Sequence, residues 1–500
     1  MKSFRVIPVA LFSLLYILLP VLSQNIKEVP KTRLRTDDNK ISERFIEEPD
    51  EEKRKLHLLH RRVEDCQKEQ PDSKNLRRDF GNLFDSYFDY NNDDEITDPN
   101  VFVPGLLNQL DEENGIFLAQ GLTARTVGVS GKRVHYADGT KSKDTMHIFP
   151  DAAGCFDLED GGYVYASNSE VPFGFILGAG VGSFIFDSNG DLQEYRRVLE
   201  KKTCMNCGGG KTPWGTWLSG EEYNKGEVWE VDPLGIDEAN KTWFGASNDE
   251  NIERGRPFES AICDDRDMLN LACFATIDSG DGELRRLTPN AQILSDAISS
   301  NDYSRVLTSE GTLDYLLLDV PSNGTFSWTQ DLSLAQKNAE LNYQNLEGID
   351  HYDGTLYLIS KKQREVISLN LDNFTYEKSS TINGTFNEQP DQILHVLSDS
   401  EENSNSSNMI YFVEDGGCMP GLFVRDMNHE HYFPLLEKVP QKYLPSDEVT
   451  GLAFCDNHTR LMISFQRFNL FGKLLEIRKK DGLPFTGTSL NLKAHKYSNE

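Results

Sequence analysis

The sequence predicts an all-β fold, a β-propeller, and three observations carry that expectation. Short strand-like segments follow one another, turn dipeptides separate them, and the pattern runs from about residue 100 almost to the C-terminus. The segments include 162–166, 183–186, 227–231, 271–277, 315–320, 355–360, 409–413, 460–465 and 474–477. Each is rich in β-branched and aromatic residues, which suit a pleated surface. Asp187-Ser-Asn-Gly190 and Asp353-Gly354 are turn signals between them. The strand-rich stretch is too long for one sandwich. A propeller grows by four-stranded blades of about 40 to 50 residues, which gives about six blades here. Stacked sandwiches are the competing reading.

Four regions follow from composition. Lys2 and Arg5 precede an apolar run from Val6 to Leu22, with Ser23 before Gln24, the pattern of a secretory signal peptide over residues 1–23. The run is short for a membrane anchor, and no second one of that length exists. Residues 24–95 are a charged N-terminal arm or pro-segment, poor in aromatics to about residue 80, with an amphipathic helix expected over Ile41–Gln67 and interrupted by Pro49. Residues 96–480 hold the propeller, and 481–500 form a tail. Glu401–Asn408 reads as a solvated polar loop.

Acidic residues outnumber basic ones by 80 to 51, a formal charge of −29. Such a surface repels nucleic-acid backbones and anionic lipid and attracts cations such as calcium. No nucleic acid and no stable membrane insertion are therefore expected. Six N-x-S/T sequons, at Asn240, Asn323, Asn373, Asn383, Asn405 and Asn457, agree with a secreted, extracellular glycoprotein. The eight cysteines should then be mostly paired. Cys263 with Cys273 and Cys418 with Cys455 are reasonable pairs. Asp89–Asn100 begins like a calcium loop but lacks its sixth-position glycine and twelfth-position glutamate, so it reads as an acidic turn.

The most specific stretch is Thr203–Glu222, T-C-M-N-C-G-G-G-K-T-P-W-G-T-W-L-S-G-E-E. Three glycines permit close backbone approach beside a thiol, and Glu221 and Glu222 follow. A thiolate with carboxylates suits a metal that accepts mixed sulfur and oxygen donors, such as iron. Each piece also has a plain reading: Cys204 and Cys207 as a disulfide or redox pair, the glycines as a loop, the glutamates as a solvated pair. Trp214 and Trp217 read as packing residues.

This stretch resembles the signature of the PhoX-type alkaline phosphatases. Asn206, Cys207, Gly208-Gly209, Thr212 to Trp217 and Glu221-Glu222 match an Asn-Cys-x-Gly-Gly-x-Thr-Pro-Trp-Gly-Thr-Trp run ending in a Glu pair. Further blocks match in the same order. They are His147 with Pro150-Asp151, the strand ending in Asn168-x-Glu170, Gly255-Arg256-Pro-Phe-Glu259, Thr276-Ile-Asp278, Glu347-Gly348-Ile349, Gln389-Pro390-Asp391, Glu414-Asp415 and Glu448-Val-Thr-Gly451 with Gln466. The resemblance spans roughly residues 140 to 470. It implies a propeller with a cluster of iron and calcium at its centre that hydrolyses phosphate monoesters, small phosphorylated substrates.

By resemblance, Cys207 and Glu259 ligate iron. Glu221, Glu222, Glu347 and Glu448 are metal ligands with the metal unassigned, and Asn168 faces the phosphate. Asp278, Asp391, Glu414 and Asp415 are weaker candidates. Three departures from the family pattern stand out: Cys204 three residues before Cys207, Gly220 where the family has Cys before the Glu pair, and Pro257 inside the Gly-Arg-Phe element. A Cys204–Cys207 disulfide would favour a non-catalytic calcium-binding propeller, for adhesion or surface attachment. A calcium-dependent esterase or lactonase is a further alternative.

Overall fold

Six inner strands set the architecture of the computed structural model, which describes residues 99–172, 178–245, 255–320, 322–381, 389–396, 409–417, 419–426, 431–439, 448–466 and 472–485. They are β1 (Pro150–Asp157), β2 (Asn206–Lys211), β3 (Phe258–Asp264), β4 (Leu346–Tyr352), β5 (Gln389–Val396) and β6 (Glu448–Cys455). Each packs beside the next, and β6 packs back against β1. The result is an all-β, propeller-like ring.

Each inner strand opens an antiparallel meander. β1 continues through Tyr163–Ser169, Gly180–Phe186 and Leu192–Glu200, and β2 through Trp217–Glu221, Val228–Val231 and Asn240–Lys241. The meanders begun by β3 and β4 are joined at their outer edges through Gly324–Thr329, which pairs with both, into one nine-stranded sheet. The sheet begun by β5 gains Ile116–Leu118 and Gln109–Asp111 at its outer edge. The sheet begun by β6 runs through Arg460–Gln466 and Lys473–Lys479 and takes its fourth strand, Leu122–Val129, from the N-terminal side. A strand from the N-terminal side and the last described strands thus share a sheet, which removes the free edge an open ring would leave.

Strands such as Tyr163–Ser169 and Trp217–Glu221 are buried along their whole length. Sheets covered on both faces need apolar residues on both, so these strands open on apolar residues, Tyr163-Val-Tyr-Ala166 and Trp217-Leu218, before turning polar toward the centre. Two helices, α1 (Ala291–Ser300) and α2 (Leu332–Asn342), lie in the connections, capped by Asn290 and Asp331.

Cysteine pairing follows this topology. Cys263 on β3 is bonded across the hairpin to Cys273, as expected. Cys455 is bonded to Cys155, not to Cys418. The correction has a simple cause: β1 and β6 are neighbours where the ring closes, so their cysteines meet although 300 residues separate them. A crosslink over so long a loop removes much unfolded-chain freedom. Replacing Cys155 and Cys455 together by Ser is expected to cost about 2–4 kcal/mol, read as a lowered calorimetric melting temperature.

The asparagines of four sequons, Asn240, Asn323, Asn373 and Asn457, are exposed. Among the described residues no helix is long and apolar enough to cross a membrane. The signal-peptide and charged-arm regions, residues 89–98 of the acidic turn, the 401–408 loop, Asn383, Asn405, Cys66 and Cys418 lie outside the described residues.

Candidate metal centre

One irregularity recurs in every inner strand. Strand pairing slips between Pro150 and Ala153, Asn206 and Gly209, Phe258 and Ala261, Leu346 and Ile349, Pro390 and Ile393, and Thr450 and Ala453. A bulge takes a residue out of the ladder and re-aims its side chain. In five of these slots the first displaced residue is an acid or a thiol: Asp151, Cys207, Glu259, Glu347 and Asp391. The sixth slot holds Gly451, whose φ of 67° suits a residue without a side chain.

A second set of polar residues comes from the strands that follow. Each delivers one at or just past its end: Glu170, Glu222, Asp278, Lys361, Asp415 and Gln466. The two sets meet. Ligand atoms of Asp151, Glu170 and Cys207 lie within 4.8 Å of one another, as do those of Cys207, Glu222 and Glu259, and those of Glu259, Glu347 and Asp391. These three trios share members, so one continuous arc of donors runs from β1 to β5.

Glycines let the thiol sit there. A Cβ on Gly208 would collide with the Glu259 carbonyl oxygen and the Ser260 hydroxyl, and one on Gly209 with the Trp217 ring. The three glycines therefore let β2 pack tightly against β3 and Trp217.

Both carboxylate oxygens of Glu259 are buried with no hydrogen-bond partner. An unpaired buried carboxylate is costly, and native structures satisfy such groups. Thiol and carboxylate donors around these orphaned oxygens are what a cluster of hard and borderline cations requires. The residues fit a metal group.

The electrostatics point the same way. Burial, and then repulsion from Asp391, pushes Asp151 up to about 8. Burial with repulsion from Asp151 does the same for Glu170, and burial with repulsion from Glu170 and Asp278 for Glu222, each to about 8. Asp391 rises to about 7 through burial, Lys361 opposing and Asp415 adding. Glu259, Glu347 and Glu448 lie well above the ordinary carboxylate range, burial leading each time. The Cys207 thiol is pushed up by burial and then by Asp151 and Glu259, and its Sγ lies 3.2 Å from Asp151 Oδ2. Lys361 sits 2.8 Å from Glu347 Oε1 and 2.7 Å from Asp415 Oδ2. Burial alone would lower its pKa, but these acids outweigh it. One ammonium cannot balance so many carboxylates.

Neighbours hold the donors in place. Gln392 Nε2 donates to Asp151 Oδ1 at 2.6 Å while its Oε1 accepts from Gly451 N. Gln466 Nε2 reaches Asp151 Oδ2 and Glu170 Oε2. Asn168 donates to the carbonyls of Cys207 and Gly208, both at 2.7 Å, and accepts from Trp217 Nε1 and the Ser219 hydroxyl. It braces the thiol strand. Glu221 accepts from the Thr203 hydroxyl, Cys204 N and Glu227 N, so its carboxylate is engaged away from the trios. Glu414 accepts from Gly421 N. Glu448 hydrogen-bonds Asp391 at the edge of the cluster. Cys204 and Cys207 are both free thiols, and Cys204 Sγ faces the Val171 carbonyl instead. Of the residues in these trios, Asp151 and Glu170 were read from the sequence only as parts of matching blocks. Their burial beside Cys207 is what marks them as donors.

The family model for the alkaline phosphatase PhoX matches residues 176–259. That segment carries Cys207, Glu221, Glu222 and Glu259. No curated protein matches the chain. Solved structures with a similar course include the gluconolactonase XC5397 of Xanthomonas campestris (10% identity over 71% of this chain and 97% of that one, TM-score 0.37). A luciferin-regenerating enzyme matches at 10% identity over 74% and 100%, TM-score 0.40. An auxiliary nutrient binding protein of Bacteroides thetaiotaomicron matches at 10% over 71% and 76%, TM-score 0.40. Likeness this loose says nothing of this chain's chemistry.

Proposed function

We propose that the protein is a secreted, metal-dependent phosphatase of the PhoX type, a six-bladed propeller that hydrolyses phosphate monoesters with iron and calcium at its centre. The observation that carries the reading is the arc of donors, with Cys207 beside Glu259 and neither Glu259 oxygen partnered. The family match over this segment supports it. The signal-peptide pattern and exposed sequons support secretion.

The donor chemistry supports the choice of metals. Cys207 with Glu259 and Glu222 gives a mixed sulfur–oxygen set suited to iron, and the all-oxygen trio Glu259, Glu347 and Asp391 suits calcium. Bound cations supply the positive charge a phosphoryl group needs and the Lewis acidity that activates a nucleophile. The chain's own part is to present and orient donors. Cys207 gives up its proton, for which Asp151 Oδ2 is the nearest acceptor. Gln392 and Gln466 fix the Asp151 carboxylate, and Asn168 fixes the backbone of Cys207. Lys361 holds Glu347 and Asp415 together. Without cations, so acidic a centre would repel a phosphate dianion.

The test is elemental analysis of the purified protein, with p-nitrophenyl phosphate hydrolysis assayed on the same sample before and after chelation. Iron together with calcium, and activity lost on chelation and on Cys207→Ala, is the expected result. Calcium without iron, and no hydrolysis from mildly acidic to alkaline pH, would overturn the reading in favour of a binding propeller.

A further inference from the structure

The acidic cluster occupies the start of each inner strand. The other halves of the same strands line a cavity of 410 Å³ that begins beside the cluster at Gln392 and whose wall includes Lys211, Cys263, Asp265, His351 and Tyr352. Asp265 and His351 of this wall converge with Asp264, with one ligand atom from each within 4.8 Å of the others. His351 Nε2 lies 3.4 Å from Asp264 Oδ1, and Nδ1 lies 3.8 Å from Asp265 Oδ1. The His351 side chain is only 3% exposed, yet its Nε2 is buried without a hydrogen-bond partner. A buried ring nitrogen left unbonded among carboxylate oxygens is an unused donor site.

The surroundings hold this trio in place. Asp264 and Asp265 follow directly on Cys263, whose disulfide to Cys273 closes the hairpin end. Arg266 grips both oxygens of Asp264, at 3.0 and 2.9 Å, and reaches Asp372 with its other nitrogen. The Arg266 backbone N–H also donates to Oδ1, so the grip fixes the carboxylate and leaves further lone-pair capacity on Oδ2. It also leaves a surplus of negative charge, since one guanidinium serves both Asp264 and Asp372 and Asp265 adds a third carboxylate. Burial holds the imidazole below its ordinary pKa, in the neutral form that ligates metals. Asp265, 69% exposed, leaves one side of the trio open to solvent.

We propose that Asp264, Asp265 and His351 form a second metal site, distinct from the central cluster, that binds one divalent cation of the zinc type and leaves a coordination position facing the cavity. One imidazole and two carboxylates are a donor set for zinc, cobalt or nickel, whereas calcium prefers oxygen alone. The site shares no residue with the central trios and stands whether or not the chain is a phosphatase.

The test titrates the full-length protein, with its resident metals in place, with Co²⁺ and reads visible absorption and bound equivalents. Wild type is expected to take up one equivalent with a ligand-field band. His351→Gln and Asp265→Asn are expected to weaken that uptake by about 10–100-fold or more, with the resident metal content unchanged. Asp265 is largely exposed, so its replacement tests the site without endangering the fold. Unchanged uptake in Asp265→Asn and His351→Gln, or no uptake at all, would each overturn the proposal.

Discussion

Glu259→Gln is expected to strip the centre of metal and cut phosphate-ester hydrolysis by about a hundredfold or more, while making the metal-free protein more stable. The opposite signs have one cause. Glu259 joins two of the three donor trios, and its oxygens have no protein partner. Partners that merely support a ligand are worth about 10–100-fold, so a ligand shared by two trios should be worth at least that. In the metal-free state burial and the neighbouring acids push the same carboxyl well above its ordinary range. Holding it there costs the fold stability, a cost its neighbours share. Glutamine has nearly the same shape and no charge to suppress. Elemental analysis, p-nitrophenyl phosphate turnover and thermal melts with and without chelator read all three effects. A variant that keeps its metal, or whose metal-free form melts lower than wild type, would show that Glu259 is a structural acid.

The metal-free protein is expected to grow less stable as pH rises from 5 to 8. Asp151, Glu170 and Glu222 are pushed up to about 8 and Asp391 to about 7. Acids whose folded pKa lies above the unfolded value bind more protons folded than unfolded in between. Their contribution is therefore fully present below the unfolded pKa and is lost as pH climbs through the folded one. With metal bound the trend reverses, because protons and cations compete for the same oxygens and acid releases the metal. Melting curves from pH 5 to 8, with and without chelator, should slope in opposite directions. A chelated protein that is flat or gains stability toward pH 8 would show that these acids are not mutually buried.

The strand-rich character was legible because the middle strands announce themselves. Thr355–Ser360, Met409–Asp415 and Arg460–Gln466 are apolar runs, as strands covered on both faces must be. The inner strands do not read as strands. Asn206-Cys-Gly-Gly-Gly-Lys211 has almost no strand propensity, and β1 opens on Pro150-Asp151. They were visible only as motif blocks, because their residues answer to the centre and to close packing more than to the ladder. Lys361 was invisible for another reason. Nothing local distinguishes it from Lys362, and only the ends of neighbouring strands bring it to Glu347 and Asp415. The Cys155–Cys455 bond escaped for the same cause, since spacing along the chain does not encode the seam of a ring.

The repeated slip in the inner strands makes the centre a test of assembly. No fragment of the chain holds the whole donor arc, because each slot from Asp151 to Asp391 belongs to a different meander. A chain still emerging, or one cut between meanders, offers a partial set of acids that repel one another with nothing to hold them together. On the proposed metal reading, cation capture would follow closure of the ring and would reward only the complete circle.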